Sequence, residues 1–142
     1  MNLVIACDHA GYAMKENVKK YLIEQGHAVT DCGTDSEASC DYPVFAKALC
    51  KEITDGKAEL GILICGTGIG MSMAANKVKG IRAAVCSDYF SAKFTRAHND
   101  ANVMCLGARV TGEGLALELI DIFLNTPFEG GKHLRRIAMF ED

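Results

Sequence analysis

The sequence predicts an α/β domain in which a five-stranded parallel sheet is covered by helices on both faces. Five short apolar runs alternate with helix-like segments along 142 residues, and this alternation is typical of β-α-β units. Most of the runs lack polar alternation, as do strands that are buried on both sides. The length suits one domain with a sizeable core, so residues 1–142 are interpreted as a single unit.

The first half of the chain predicts two strands and two helices. LVIAC at 3–7 is continuously apolar, as expected of a buried strand. Residues 15–26 place apolar side chains at 18, 21 and 22, and Gly26 supplies a C-terminal stop. AVTDCG at 28–33 is predicted as the second strand. Residues 36–57 are predicted to contain a loop followed by a helix.

The second half repeats the alternation. Strands are predicted from the apolar runs at 60–65, 81–87 and 102–108. Helices are predicted at 70–78, 88–99 and 112–127, followed by a basic tail helix at about 131–142. Asp88 is placed to cap the second of these helices, and Pro127 ends the third. No repeat or linker interrupts the pattern.

Composition excludes several classes of protein. The net charge of −3 is not the basic footprint of a nucleic-acid-binding protein. No apolar run approaches the ~18 residues that a membrane span needs, and the start reads as a strand, not as a signal peptide. Seven cysteines, scattered without a CxxC motif, predict reduced thiols in a cytoplasmic protein and argue against disulfides or structural zinc.

Ionisable residues and glycines follow the predicted strands, where open parallel sheets bind ligands. Asp8-His9 follows the first strand, Cys65-Gly66-Thr67-Gly68 the third, and Gly107-Ala108-Arg109 the fifth. Their convergence on one edge of the sheet predicts a functional site there. Cys65 ends a strand and opens onto a helix N-terminus, where a thiolate is favoured, so it could serve as a nucleophile or a base.

The glycine turn after Cys65 has several interpretations. Successive N–H groups at a helix start can hold a phosphate or an oxygen that becomes negative during a reaction. Asp88 lies about 20 residues on, as in dinucleotide sites, but neither GxGxxG nor GK[ST] is present. A tight turn without a ligand is the plain alternative. Cys65 and Thr67 in the same turn favour a reaction site.

Two further polar segments lie outside the strand ends. RAHNDANV at 96–103 contains His98 and Asn99, and a histidine flanked by amides suits proton transfer to sugar oxygens. A polar loop explains the same composition. The tail segment GKHLRR at 131–136 is strongly basic. It suits either a clamp for a substrate phosphate or a solvated helix face.

Several long motifs, in one order from Ile5 to Ile137, resemble the type B ribose-5-phosphate isomerases and their galactose 6-phosphate and allose 6-phosphate relatives. The motifs are CDHAGY, DYP, GILICGTGIGMSMAANK, RAHNDANVMCLGAR and FEGGKHLRRI. The resemblance implies a Rossmann-like three-layer α/β/α sandwich used without a nucleotide. It also implies interconversion of D-ribose 5-phosphate and D-ribulose 5-phosphate through an enediolate, without a metal or other cofactor.

The resemblance implies a homodimer, or a dimer of dimers, whose active sites are shared between subunits. The tail helix would pack at the dimer interface. Cys65 would move the proton between C1 and C2, and Thr67 would hold or shuttle hydroxyl protons. The partner subunit's His98 would open the furanose ring, with Asp8 nearby. Another branch of the family has glycine at the Cys65 position and a glutamate six residues on, where this chain has Met71.

The remaining roles that the resemblance implies concern binding. The enediolate would lie in an anion hole formed by the turn residues Gly66, Gly68, Gly70 and Ser72. Tyr42 and Asn99 would contact the sugar, and the phosphate ligands would be His9, Arg109, Lys132 and Arg136. Lys132 stands where the common family pattern, GGRH, has arginine. Lysine keeps the charge and loses the two-pronged geometry, so weaker phosphate affinity and compensation by Arg135 both stay open.

Three alternatives remain at this stage. A six-carbon sugar-phosphate isomerase on the same scaffold would be separated by relative kcat/KM for ribose 5-phosphate and allose 6-phosphate. A nucleotide-binding module using Gly66–Gly70 and Asp88 would bind NAD or ATP. A non-catalytic homologue is disfavoured because Cys65, Thr67 and His98 are all present. Dimer and tetramer are equally compatible with the sequence.

Overall fold

Five parallel strands form the centre of the protein in a computed structural model that describes residues 1–141. The strands are β1 (Asn2–Cys7), β2 (Ala28–Asp31), β3 (Leu60–Cys65), β4 (Ala83–Val85) and β5 (Val103–Gly107). Their order across the sheet is β2-β1-β3-β5-β4, and each neighbouring pair is parallel. The predicted five-stranded parallel sheet is confirmed.

Helices follow each strand, as the sequence predicted. They are α1 (Tyr12–Glu24), α2 (Tyr42–Thr54), α3 (Ile69–Ala75), α4 (Tyr89–Ala97), α5 (Glu113–Asn125) and α6 (Lys132–Ile137). Short 3₁₀ turns occupy His9–Gly11 and Ala138–Glu141. Asp88 caps α4 by accepting the Ser91 N–H at 2.7 Å. Among the helices described, none has the length and apolarity to cross a membrane.

Side chains alternate between two buried layers along each central strand. On β1, Leu3 and Ile5 pack with residues of α1 and α5, whereas Val4 and Ala6 pack with residues of α2 and α3. This alternation is the two-residue period of an extended chain whose faces are both covered. The three-layer α/β/α sandwich is confirmed.

The outer strands and the tail differ from the predictions. β2 and β4 are shorter than the predicted runs and only partly buried, because each lies at an edge of the sheet with one neighbouring strand. The tail helix predicted at 131–142 is six residues long and tightens into a 3₁₀ turn at Ala138, as helix ends often do. Asp142 lies outside the described residues.

The sheet topology sets the place of a ligand crevice. The chain leaves β1 toward β2 and leaves β3 in the opposite direction, toward β5 and β4. Open sheets bind ligands at the carboxyl ends of two such neighbouring strands. The loop after β1 closes onto β3, where Asp8 donates its N–H to the Ile64 carbonyl at 3.2 Å. A Cβ on Gly11 would lie 2.5 Å from that same carbonyl oxygen, so only glycine fits there.

Candidate active site

Cys65 ends β3 with its sulfur turned toward the start of α3. Its Sγ accepts the Gly68 N–H at 3.0 Å, and the residue is 5% exposed. Gly68 has φ of +80°, a left-handed conformation that glycine adopts without steric cost. This conformation lets the turn fold back over the sulfur. The sulfur therefore lies at the N-terminal end of α3, beside the backbone N–H groups of the turn.

Four other buried cysteines lie in the core. All seven thiols are free. Burial raises the pKa of Cys7 and of Cys86 to about 12, and that of Cys50 to about 11. Burial also holds the pKa of Cys105 well above its ordinary value. These four are inert core residues at neutral pH. Cys32 and Cys40 are half-buried.

The turn after Cys65 keeps part of its hydrogen-bonding capacity free. The Ile69 N–H donates to Thr67 Oγ1 at 3.2 Å, and the Ser72 N–H donates to the Gly68 carbonyl at 3.1 Å. No acceptor within residues 1–141 meets the N–H groups of Gly70 and Met71. Of the predicted anion-hole positions, Gly68 and Ser72 therefore already have partners, whereas Gly70 is available.

Strand β5 supports the turn from one side. Ala108 donates its N–H to the Cys65 carbonyl at 2.8 Å, and Arg109 donates its own to the Gly66 carbonyl at 3.0 Å. A Cβ on Gly107 would lie 2.7 Å from the Thr67 backbone. A Cβ on Gly66 would lie 3.1 Å from Nη1 of Arg109, so the guanidinium packs beside the glycine turn.

The loop after β1 and the start of α2 complete this edge of the sheet. Asp8 is buried, and its Oδ1 accepts the N–H groups of Ala10 at 2.9 Å and Gly11 at 3.1 Å. His9 Nδ1 accepts the Cys40 N–H at 3.3 Å, so a neutral His9 ring carries its proton on Nε2. The Tyr42 ring packs against Gly70, where an added Cβ would lie 2.8 Å from it.

A second group of predicted residues surrounds His98, immediately after α4. The His98 ring stacks on the His133 ring, with centroids 4.1 Å apart and planes 9° from parallel. Oε2 of Glu129 lies 3.6 Å from Nε2 of each histidine. Burial lowers the pKa of His133, and the charges of His98, Lys132 and Arg136 act in the same direction, partly offset by Glu129.

The same three side chains form a cluster of potential metal ligands. The ligand atoms of His98, Glu129 and His133 lie within 4.8 Å of one another. The lone pairs of an imidazole lie in the plane of its ring, and two nearly parallel planes share no point at which one ion could bind both nitrogens. The arrangement fits a stacked histidine pair, and the absence of a metal stays a prediction.

The predicted site residues and their neighbours fall into two clusters within the chain. The carboxyl-edge cluster comprises Asp8, His9, Tyr42, Cys65, Thr67, Arg109 and the glycine turn. The histidine-pair cluster comprises His98, Asn99, Glu129, Lys132, His133 and Arg136. Helix α4 starts at the carboxyl edge of the sheet and its nine residues lead away from it over about 14 Å, which separates the clusters.

Asp88 does not support the nucleotide interpretation. Its two carboxylate oxygens bind Ser91, through the backbone N–H at 2.7 Å and the hydroxyl at 2.8 Å. It follows β4, and β5 lies between β4 and the strand that carries the glycine turn. Asp88 therefore acts as a helix cap and does not share the crevice beside Cys65.

Sequence reasoning gave no role to Cys40 and Glu129. Cys40 touches His9 although 31 residues separate them, and no local pattern announces such a contact. Glu129 lies four residues before His133, a helical spacing that offers a weak signal. An acidic side chain next to a basic tail was the other signal that Glu129 contacts the tail histidine.

Comparison with known proteins now assigns the chain. A family model described as Ribose/Galactose Isomerase matches residues 3–140. The chain belongs to the ribose/galactose isomerase family. The predicted resemblance to type B ribose-5-phosphate isomerases is confirmed, and the chain is an aldose–ketose isomerase.

Two relatives show the range of the family. The chain is 44% identical to ribose-5-phosphate isomerase B of Escherichia coli (strain K12), over 95% of this chain and 91% of that protein. It is 41% identical to galactose-6-phosphate isomerase subunit LacB of Clostridium acetobutylicum, over 96% of this chain and 79% of that one. Both enzymes isomerise phosphorylated sugars, as their names state.

Solved structures of the family have the same fold. Ribose-5-phosphate isomerase B of Clostridium thermocellum superposes with a TM-score of 0.98 at 44% identity, covering 99% of this chain and 95% of that one. The enzyme from Mycoplasma genitalium, solved with bound ribulose-5-phosphate, superposes with a TM-score of 0.92 at 41% identity, covering 97% and 92%.

Proposed function

We propose that this isomerase interconverts D-ribose 5-phosphate and D-ribulose 5-phosphate, with Cys65 as the base. The observation that carries the proposal is the Cys65 sulfur, which lies at the topological switch point and accepts the Gly68 N–H at 3.0 Å. The N–H groups of Gly70 and Met71, in the first turn of α3, have no acceptor within residues 1–141. The similarity to ribose-5-phosphate isomerases supports the choice of substrate.

The first chemical step opens the furanose ring. A base removes the proton of the C1 hydroxyl while an acid protonates the ring oxygen, which leaves the open-chain aldehyde. The partner subunit's His98 is proposed for this step, with Asp8 on the side of the sugar next to Cys65. A histidine suits both transfers because it exchanges protons near neutral pH.

The second step moves a proton between two carbons. The Cys65 thiolate takes the C2 proton, and the electron pair shifts onto the C1 carbonyl oxygen to form the enediolate. The N–H groups of Gly66, Gly70 and Met71 are the proposed donors to that oxygen, since fixed donors need no reorganisation. Thr67 transfers the hydroxyl proton from O2 to O1. Cys65 then returns its proton to C1, which yields the ketose without a cofactor.

The distribution of the proposed phosphate ligands supports a site shared by two subunits. His9 and Arg109 belong to the carboxyl-edge cluster, whereas Lys132 and Arg136 lie on α6 in the histidine-pair cluster. Assembly of two chains would bring both pairs to one phosphate. Large apolar side chains are exposed near the second cluster, as an interface requires: Phe90, Leu134, Met139 and Phe140. A homodimer with α6 at its interface is therefore proposed, alone or within a dimer of dimers.

The test is isomerisation of ribose 5-phosphate by the wild type and by Cys65→Ala. Removal of the base is expected to lower kcat by about 10²–10⁴-fold. Cys32→Ala, at a half-buried thiol beyond β2, is the matched control and should keep full activity. Full activity in Cys65→Ala would contradict the assignment.

A six-carbon substrate is the second candidate, and the 41% identity to a galactose-6-phosphate isomerase subunit favours including it. Relative kcat/KM for ribose 5-phosphate, allose 6-phosphate and galactose 6-phosphate decides between them. A cytoplasmic location is also proposed, because seven free cysteines suit a reducing compartment.

A further inference from the structure

The bend at residues 98–102 contains an unusual backbone conformation. Asp100 has φ of +46°, and no other non-glycine residue within residues 1–141 has a positive φ. Aspartate tolerates the left-handed region better than most residues, although at a cost. Such a conformation persists where surrounding contacts impose it, and it often accompanies a functional segment.

Two arginines make contacts that hold Asp100 in this backbone conformation. Arg82 Nη2 donates to Asp100 Oδ2 at 3.2 Å, and Arg96 Nη1 donates to Oδ1 at 2.9 Å. Arg82 Nε also donates to the carbonyls of Asn99 at 3.2 Å and Asp100 at 2.9 Å. Arg96 Nη1 reaches the Ala101 carbonyl at 2.7 Å. Each carboxylate oxygen thus has its own guanidinium, and three successive carbonyls are held.

The arginines approach the bend from two different elements. Arg82 directly precedes β4, and Arg96 lies in the last turn of α4. The bend between them carries His98 and Asn99, two residues proposed to act on the sugar. Within residues 1–141 the His98 ring has no hydrogen bond, since Glu129 stands 3.6 Å away. Its direction therefore depends on the backbone and on ring stacking.

We infer that Asp100, held by Arg82 and Arg96, is a positioning residue for the ring-opening step. The inference rests on the proposed function, in which the partner subunit's His98 acts on the furanose. Loss of the ion pairs would let the bend relax and would move His98 and Asn99 out of line with the sugar. The Cys65 turn has no contact with these ion pairs, so proton transfer between C1 and C2 would continue.

The two steps can be measured separately. Ribulose 5-phosphate is acyclic because its C5 oxygen carries the phosphate, so its C1 proton can be removed without any ring opening. In D₂O the enzyme would then place deuterium at C1 of recovered ribulose 5-phosphate. Turnover of ribose 5-phosphate requires both ring opening and proton transfer.

The variants isolate the ion pairs from the backbone conformation. Asp100→Gly keeps the positive φ and removes both pairs, whereas Arg82→Lys keeps the charge and loses the forked contacts. Asp55→Asn, at an exposed ion pair with Lys51, is the control. For Asp100→Gly we expect ribose 5-phosphate turnover to fall by about 10²-fold, as for small misplacements of reacting groups. Deuterium incorporation should stay near the wild-type rate, and the control should match the wild type in both assays.

Two results would overturn the inference. Wild-type turnover of ribose 5-phosphate by Asp100→Gly would show that the ion pairs do not position His98. An equal fall in turnover and deuterium incorporation would show that the ion pairs of Asp100 support the fold in general and not the ring-opening step. Arg82→Lys keeps the question decidable if Asp100→Gly does not fold. Absence of turnover by the wild type itself would instead overturn the proposed function, and the inference with it.

Discussion

The turn at Cys65 and the bend at His98 are held in place by different physical means. Backbone contacts fix the Cys65 turn: glycines pack onto β5, and strand carbonyls accept loop N–H groups. Side-chain ion pairs and ring stacking fix the His98 bend, which lies at a partly exposed surface. The contacts that hold the turn all lie within the chain, whereas the bend lies where the proposed dimer would bring a second subunit.

The largest effect is expected where the turn touches β5. Gly107→Ala would place a Cβ 2.7 Å from the Thr67 backbone, so the turn must move. We expect kcat to fall by about 10²-fold and the free energy of unfolding to fall by about 1–3 kcal/mol. Steady-state kinetics and chemical denaturation measure the two effects.

The matched control for this substitution is Gly114→Ala in α5. Apart from the backbone of α5 itself and the neighbouring residues in the chain, no atom lies within 4 Å of the added Cβ there. Alanine in a helix should raise the free energy of unfolding by about 0.5–1 kcal/mol and leave kcat unchanged. Full activity in Gly107→Ala would contradict the claim that backbone contacts with β5 fix the Cys65 turn, because the turn would then tolerate displacement.

The next effect concerns a buried lysine beneath the carboxyl-edge cluster. Lys15 is 1% exposed, and its Nζ donates to Asp31 and Glu16 at 2.7 Å and to the Thr34 carbonyl at 3.2 Å. Lys15→Met should lower the free energy of unfolding by about 1–3 kcal/mol. This is less than the usual cost of breaking a buried ion pair, because Lys19 still forms an ion pair with Asp31. Denaturant titration of Lys15→Met measures this loss of stability, and Lys20→Met, at an exposed lysine, is the control.

The pH dependence of stability tests the same ion pairs. Burial alone would raise the pKa of Asp31, but hydrogen bonds from Lys15 and Lys19 hold it below its ordinary value. A lowered carboxylate pKa adds stability above the unfolded value of about 3.9, and this stability is lost as pH falls through the folded pKa. Unfolding between pH 2 and 5 should show a weaker dependence in Lys15→Met. An identical dependence in both proteins would contradict the ion-pair assignment.

The smallest effect is expected at the stacked histidines. Burial and neighbouring positive charges lower the pKa of His133, which favours its neutral ring. His133→Phe keeps an aromatic surface against His98 and removes the second titrating ring. Its pH–rate profile for ribose 5-phosphate should shift by less than about one unit, with little change in kcat. A loss of activity comparable to that of Cys65→Ala would show that His133 itself handles protons.

The sequence predicted the buried centre of the molecule well. β3 occupies residues 60–65 as predicted, because its apolar run is bounded by polar and glycine residues. The Asp88 cap and the stop at Gly26 were also predictable, since each depends on one local residue type. Edge strands were predicted too long, because exposure at a sheet edge depends on the strand order.

The site was only partly accessible from the sequence. Residues after β1, β3 and β5 converge because parallel strands share one carboxyl edge, which the sequence pattern implies. The partners of individual N–H groups were not accessible: Gly68 and Ser72 are engaged inside the turn, and Met71 is free. The Arg82–Asp100 ion pair joins the start of β4 to the bend after α4, 18 residues along the chain, and no local pattern encodes it. Arg96 and Asp100 have the i,i+4 spacing of a helical ion pair, which is a weak local signal.

The most direct test of a site built from two subunits is complementation. Cys65→Ala and His98→Ala proteins, each inactive alone, would be mixed, partly unfolded and allowed to reassociate. Random exchange in a two-fold dimer makes about a quarter of the sites wild type, so about a quarter of wild-type activity should return. Activity no higher than that of the separate variants would contradict a shared site and would place both residues in one subunit.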